Sequence, residues 1–179
     1  MRTRLAVVAA YTALVSGALA QGPAIEDVGG SWFFSSGGEL RTGIVSSPDD
    51  GEPHFLYLNC NGVGGRTALL NLEADPKHFA DAIRDGRYIV LRSRVGASTI
   101  ELTVDRVVLN EAGPYTWSLQ IDLPSRSILE QWTQPGTLLM ELGERDRGFS
   151  SHQVYRIPDQ NRIAAVRSFM RRCTIPAQQ

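Results

Sequence analysis

The sequence is poor in lysine, histidine and cysteine. Among its 179 residues it has one lysine, Lys77, three histidines and two cysteines, while arginine is plentiful. The 18 basic residues nearly balance the 19 acidic ones. The chain therefore lacks the basic excess by which proteins neutralise nucleic-acid phosphates, and we expect no nucleic-acid partner. The basic residues Arg167, Arg171 and Arg172 cluster near the C-terminus.

The usual catalytic and metal-binding signatures are also missing. There is no G-x-S-x-G elbow, and the glycine-rich segment 62–67 lacks the Gly-Lys-Ser/Thr ending of a phosphate loop, which favours a hairpin turn. His54, His78 and His152 do not form an H-x-x-x-H pair, and no C-x-x-C spacing occurs. The sequence therefore predicts neither a metal nor a cofactor, and it leaves the catalytic residues unassigned.

Acidic pairs are the remaining catalytic possibility. Asp49-Asp50, Glu141 with Glu144, and Asp146 could supply the two carboxylates that a glycosidase places about 5–9 Å apart across a cleft. His152 beside a carboxylate is a second option. Charged turns are the usual explanation for such pairs, and the sequence favours that interpretation.

Aromatic residues could line a ligand pocket or belong to the core. The residues concerned are Trp32, Phe33, Phe34, Trp117 and Trp132. Because large aromatic side chains dominate protein cores, we expect most of them to be structural.

The N-terminus has the pattern of a secretory signal. Arg2 and Arg4 precede the apolar run Leu5–Val15, which is followed by small residues ending in Ala18-Leu19-Ala20. A retained membrane anchor is the alternative, but a spanning helix needs about 20 apolar residues and this run is shorter.

Cleavage after Ala20 would leave Gln21 as the first residue. We expect a flexible leader at 21–30, one domain at 31–175 and a short tail at 176–179. Residues 1–20 carry two arginines and no acid, so the remainder has 16 basic residues against 19 acidic ones and a formal charge of −3. The sequence predicts a periplasmic or secreted protein that does not span a membrane after cleavage.

Short apolar runs separated by turn signals predict many strands. Alternation is clearest where Ile100, Leu102 and Val104 share one face and where Leu119 and Ile121 share another. The expected strands cover 31–35, 40–46, 55–60, 66–72, 87–95, 98–109, 115–123, 137–142 and 151–157. Short helices are expected from Asp75-Pro76 and from a capping box at Ser127 and Glu130. The pattern indicates a mainly β fold, an antiparallel sandwich or strongly curved sheet, with a C-terminal amphipathic helix.

The two cysteines are both outside the signal. Cys60 shares a strand face with Leu56 and Leu58, and Cys173 lies on an apolar helix stripe. The other residues of that stripe are Ile163, Val166 and Met170, whereas Arg162, Arg167, Arg171 and Arg172 lie mainly off it. An even cysteine count in an exported chain predicts a Cys60–Cys173 disulfide, with free thiols or a redox pair as alternatives.

This order of features resembles a group of small bacterial envelope proteins. The matching features are the signal, the strand Trp32–Ser35, the strand Leu56–Cys60 and the helix ending at Cys173. The chain is similar to the type VI secretion-associated accessory proteins of the VasI/TagO kind, and more distantly to the invasion-associated locus B family. The resemblance implies a bacterial, periplasmic, β-rich accessory protein, without catalytic residues to transfer.

Two functions follow as hypotheses. The first is an exported binding or interaction module whose partner is an envelope protein or a glycan. The second is an envelope hydrolase acting on glycan, and a purely structural envelope component is a third class. Because the sequence lacks residues at the spacing of known catalytic motifs, we favour the binding module over an enzyme.

Overall fold

The computed structural model describes residues 23–36, 40–46, 54–61, 67–74, 88–110, 116–123, 125–145 and 148–175. The predicted signal at 1–20 with its Ala20–Gln21 junction, the predicted helix from Asp75-Pro76 and the predicted tail at 176–179 lie outside these residues. The glycine-rich positions 62–66, His78 and the acids Asp49, Asp50 and Asp146 also lie outside them.

The described residues form eleven strands and two helices. The strands are β1 (Ile25–Asp27), β2 (Ser31–Ser35), β3 (Arg41–Val45), β4 (His54–Asn61), β5 (Thr67–Ala74), β6 (Tyr88–Val95), β7 (Ser98–Thr103), β8 (Arg106–Asn110), β9 (Thr116–Leu123), β10 (Leu138–Arg145) and β11 (Phe149–Ile157). The helices are α1 (Ser127–Trp132) and α2 (Arg162–Arg172).

The strands are arranged in two sheets. A five-stranded sheet has the order β1-β11-β10-β6-β7, and a six-stranded sheet has the order β2-β3-β4-β5-β9-β8. Strand pairing is antiparallel except between β1 and β11, which are parallel. The predicted fold class, a mainly β sandwich with a C-terminal helix, is confirmed.

Alternating apolar residues of both sheets meet in one core. The six-stranded sheet contributes Leu56, Leu58, Leu70, Leu72, Leu119 and Ile121, and the five-stranded sheet contributes Leu91, Leu138, Met140, Leu142 and Ile157. All of them are at most 2% exposed. Burying one such side chain contributes about 1.5–3 kcal/mol, so this cluster dominates the stability of the fold.

Strand β1 lies within the segment predicted to be a flexible leader. Ile25 pairs with Val154 and Asp27 with Arg156, and the Arg156 guanidinium lies 2.9 Å from the Asp27 carboxylate. These three leader residues are therefore an ordered edge strand. A strand so short carries too little periodicity to be recognised, and it needs β11 as its template.

The single strand predicted over 98–109 is two strands in different sheets. β7 pairs with β6, and β8 pairs with β9. Between them the Val104 amide donates to the Ile89 carbonyl and the Asp105 amide to the Gln120 carbonyl, at 2.9 and 3.0 Å. The Asp105 side chain also accepts from the Asp122 amide. The chain therefore changes partners at Val104–Asp105 and links the edges of the two sheets.

The predicted capping box at the start of α1 does not form. Ser127 is the first helical residue, Arg126 occupies the N-cap position, and no side chain caps the helix. The Ser127 hydroxyl lies 2.9 Å from that of Ser125, and Glu130 pairs with Arg126 instead. The helix is held by its buried face, in which Leu129 and Trp132 are fully buried.

The C-terminal helix α2 packs against β2, β3 and α1. Its buried residues are Arg162, Ala165, Val166 and Phe169. The structure joins Cys60 and Cys173 in a disulfide, with the two Cα atoms 5.7 Å apart. The helix is therefore tied to β4, as the cysteine pattern predicts. The expected placement of Arg162 off the buried stripe is wrong, because its side chain is 1% exposed.

Candidate functional site

The acidic pair Glu141 and Glu144 does not form a cleft. The two residues are three positions apart on β10, so they lie on opposite faces of the five-stranded sheet. A glycosidase needs both carboxylates on one side of the substrate. Glu144 lies 3.4 Å from His152 Nε2, and Glu141 lies beside two arginines. These two acids therefore cannot act together on one glycosidic bond.

The outer face of the five-stranded sheet carries a ladder of alternating charges. Glu101 accepts from Arg92 at 2.6 and 2.9 Å and also pairs with Arg145. Glu141 lies 3.2 Å from Arg94 and 3.7 Å from Arg92. The Arg92 guanidinium is stacked 3.7 Å above the centroid of the Phe149 ring. Each carboxylate thus has two cationic neighbours, and the charged side chains of β7, β6 and β10 pair with one another.

The tryptophans with described side chains belong to the core. Trp32 and Trp132 meet edge to face, with ring centroids 5.7 Å apart. The Trp32 indole donates to the Pro158 carbonyl at 2.8 Å, and the Trp132 indole donates to the Ser93 hydroxyl at 2.8 Å. Their polar ends are therefore satisfied inside the protein, which confirms the structural interpretation of these two residues.

A groove of about 730 Å³ runs between the two helices. One wall comes from α1 and its flanks, and the other from α2 and the segment that follows it. The lining residues are Arg126, Glu130, Thr133, Arg167, Met170, Arg171, Thr174 and Ile175. We call this set the helix groove. It is an open groove whose lining is mainly charged and polar, with three arginines and two apolar residues.

Arg162 holds the two walls of the helix groove together. From the first turn of α2 its buried guanidinium donates to the carbonyls of Trp132, Gln134 and Gly136, at and beyond the C-terminal end of α1. Its Nε also lies 3.0 Å from the Asp159 carboxylate. Carbonyls at a helix C-terminus lack intrahelical donors and carry a partial negative charge, so one buried cation satisfies them and aligns both helices.

Gln131 fixes α1 on the five-stranded sheet. Its side-chain nitrogen donates to the carbonyls of Ser93 and Ser98 at 3.2 and 3.0 Å, and its oxygen accepts from the Ser93 hydroxyl at 2.7 Å. The residue is 4% exposed. Because a buried amide with unmade hydrogen bonds is strongly unfavourable, this network specifies one position for the α1 wall.

The charge in the helix groove is positive. Arg126 forms an ion pair with Glu130 at 2.9 Å along α1. On the other wall the Arg171 guanidinium donates to the Ser168 hydroxyl at 2.9 Å. Among the described residues no carboxylate pairs with Arg167 or Arg171. Three arginines against one glutamate leave a local excess of two positive charges, although the whole chain has a formal charge of −1.

The apolar residues that line the helix groove belong to the α2 wall. Met170 is half-buried and Ile175 is 3% exposed. Both flank Cys173, whose disulfide reaches β4. The α2 wall is therefore anchored by a covalent bond as well as by packing.

The sequence alone identifies only part of the helix groove. The cluster Arg167, Arg171 and Arg172 is visible, and the four-residue spacing of Arg167 and Arg171 places them on one side of α2. Arg126 and Thr133 lie more than thirty positions earlier, and nothing in the sequence indicates that they lie near Arg167 and Arg171. Their contribution depends on how α1 packs beside α2.

Comparisons with protein-family models, with curated proteins and with solved structures find no match. Within the described residues, no helix is long and apolar enough to cross a membrane. In the same residues no group of three or more His, Cys, Asp or Glu side chains could hold a metal ion.

Proposed function

We propose that the protein is an exported binding module of the bacterial envelope, and that the helix groove is its binding surface. The observation that carries the proposal is a cationic cavity whose two walls are held in place by Arg162, Gln131 and the disulfide. A site that is rigid before its ligand arrives loses little conformational entropy on binding.

The signal pattern and the disulfide support an extracytoplasmic location for this activity. Disulfides persist in the periplasm and outside the cell, where the environment is oxidising. The resemblance to the accessory proteins of the VasI/TagO kind points to the same compartment. We infer that the protein acts there on another envelope component.

Site-specific photo-crosslinking in the host envelope tests this function. A photoreactive residue at Glu130, in the helix groove, should capture a defined partner. The same residue at Ser150, an exposed position of β11 that does not line the groove, should not. The partner captured at Glu130 should then be purified and should bind the wild-type protein at equilibrium.

Equal capture at both positions would contradict a specific site. If nothing is captured at Glu130 but the purified protein releases sugars from envelope glycan, the hydrolase hypothesis replaces the binding module.

A further inference from the structure

The positive charge of the helix groove indicates the chemical class of its ligand. Arg167 and Arg171 project from consecutive turns of α2, and Arg126 faces them from the other wall. Arginine is suited to carboxylates and phosphates because its planar fork donates two parallel hydrogen bonds. The complementary ligand is therefore anionic, with charges placed along the groove.

The spacing of the two α2 arginines matches an extended peptide. Residues four apart on a helix have Cβ atoms about 5–6 Å apart. Alternate residues of an extended chain point to the same side and are separated by about 6.6 Å. Acidic residues at alternate positions can therefore meet Arg167 and Arg171 together, whereas adjacent acidic residues point to opposite sides.

The apolar part of the groove favours a peptide over a bare anion. Half-buried Met170 offers apolar surface beside the arginines, whereas Ile175 is 3% exposed and adds little. Methionine adapts its shape to irregular partners and can contact the aliphatic parts of a peptide. A small inorganic anion would leave this surface unused.

The described surface does not favour a lipid bilayer as the occupant. Interfacial membrane binding inserts large apolar side chains beside the basic ones. The exposed large hydrophobic residues in the described part of the chain are Ile25 and Val108, on the edge strands β1 and β8. Neither lines the helix groove.

We propose that the helix groove binds an extended acidic peptide segment of a partner protein, with carboxylates at alternate positions paired to Arg167 and Arg171. This inference rests on the proposed binding function and names its ligand. Arg126 closes the opposite side, and its pair with Glu130 keeps one negative charge on that wall.

Fluorescence anisotropy with two labelled peptides tests the inference. The first alternates aspartate with serine, and the second has the same composition with its aspartates in adjacent pairs separated by two serines, so that no two aspartates occupy alternate positions. The protein is expressed as the full chain and purified from the envelope fraction. The alternating peptide should bind more tightly than the paired peptide.

Two double variants provide the matched comparison. Arg167→Gln with Arg171→Gln should weaken binding of the alternating peptide about tenfold, as expected for losing two exposed ion pairs. Arg106→Gln with Arg156→Gln removes the same charge from ion pairs outside the groove. That control should stay within about twofold of the wild type. Reversing both groove charges, with Arg167→Glu and Arg171→Glu, should transfer the preference to a peptide that alternates lysine with serine.

Several outcomes would overturn the inference. Equal losses in the two double variants would show only general electrostatic attraction. Binding to vesicles of anionic phospholipid, or to tripolyphosphate, without binding to the alternating peptide would assign the groove to another anion. If the peptide fails while Glu130 still crosslinks a partner, the ligand class is wrong and the binding function stands. If both fail, the binding function itself is wrong.

Discussion

Arg162 is a fully buried arginine on a helix of a small β-rich protein. Its guanidinium serves three carbonyls at and beyond the end of α1 and one carboxylate, so its charge is compensated inside the fold. Removing one partner of such a buried arrangement leaves the other groups without donors. The Arg162 side chain therefore contributes directly to the relative position of the two helices.

Replacing Arg162 with methionine should destabilise the protein by about 3–5 kcal/mol, the usual effect of breaking a buried charged network. Urea unfolding followed by tryptophan fluorescence measures this change. Arg106→Met, at a side chain that is 56% exposed, is the control and should change the stability by less than about 0.5 kcal/mol. Similar effects of the two variants would show that the Arg162 contacts do not support the fold.

The sequence could not have identified this role. The helical pattern places apolar residues on the buried stripe and assigns arginines to solvent, which holds for Arg167, Arg171 and Arg172. Arg162 departs from the rule because carbonyls at and beyond the C-terminal end of α1 lie opposite it. Those carbonyls come from residues about thirty positions earlier, and no local pattern reports them.

At the scale of elements, helix α2 is secured in two ways. Its buried residues pack against β2 and β3, and the disulfide from Cys173 fixes its C-terminal end to β4. The two cysteines are 113 positions apart. In the loop-entropy account, a bridge over so long a loop restricts the unfolded chain strongly.

Cys173→Ser should lower the free energy of unfolding by about 4–5 kcal/mol under oxidising conditions. Thermal denaturation with and without reductant measures the effect. The reductant should lower the Tm of the wild type towards that of the variant and leave the variant unchanged. A wild-type Tm that does not respond to reductant would contradict a stabilising bridge.

The link between β7 and β8 shows where element prediction fails. The alternating residues Ile100, Leu102 and Val104 are soon followed by the apolar positions 107–109, with no glycine or proline between them, so the segment 98–109 is predicted as one strand. The structure divides this segment between two sheets. The Val104 amide donates a hydrogen bond to Ile89 in one sheet, and the Asp105 amide donates to Gln120 in the other. The apolar pattern indicates which side chains face the core, but not which sheet a strand joins. Because β7 and β8 both pack against the same core, the pattern does not show that they are separate strands.

At the scale of the whole molecule, the two sheets and α2 enclose one core, and the helix groove lies at its helical side. The disulfide forms and persists in an oxidising environment, which the cytosol does not usually provide. We therefore predict that this arrangement is completed after export.

We predict that the protein is exported and cleaved after Ala20, so that its mature form begins at Gln21. Intact mass spectrometry of the protein from the envelope fraction should give the mass of residues 21–179 with one disulfide. Ala20→Arg places a large charged residue where a small one is needed, so the uncleaved precursor should accumulate. Full-length protein with free thiols in the cytoplasm of wild-type cells would contradict the export signal.

The amino-acid sequence by itself determined the fold class, most strand positions, the pairing of Cys60 with Cys173 and the C-terminal helix. Alternation, turn residues and helical spacing are local signals of burial, and they are readable without coordinates. Tertiary structure alone decided the division of residues 98–109 between two sheets, the burial of Arg162 and the meeting of Arg126 with Arg167 and Arg171. These features depend on contacts between distant segments, whose positions follow from the packing of the whole core.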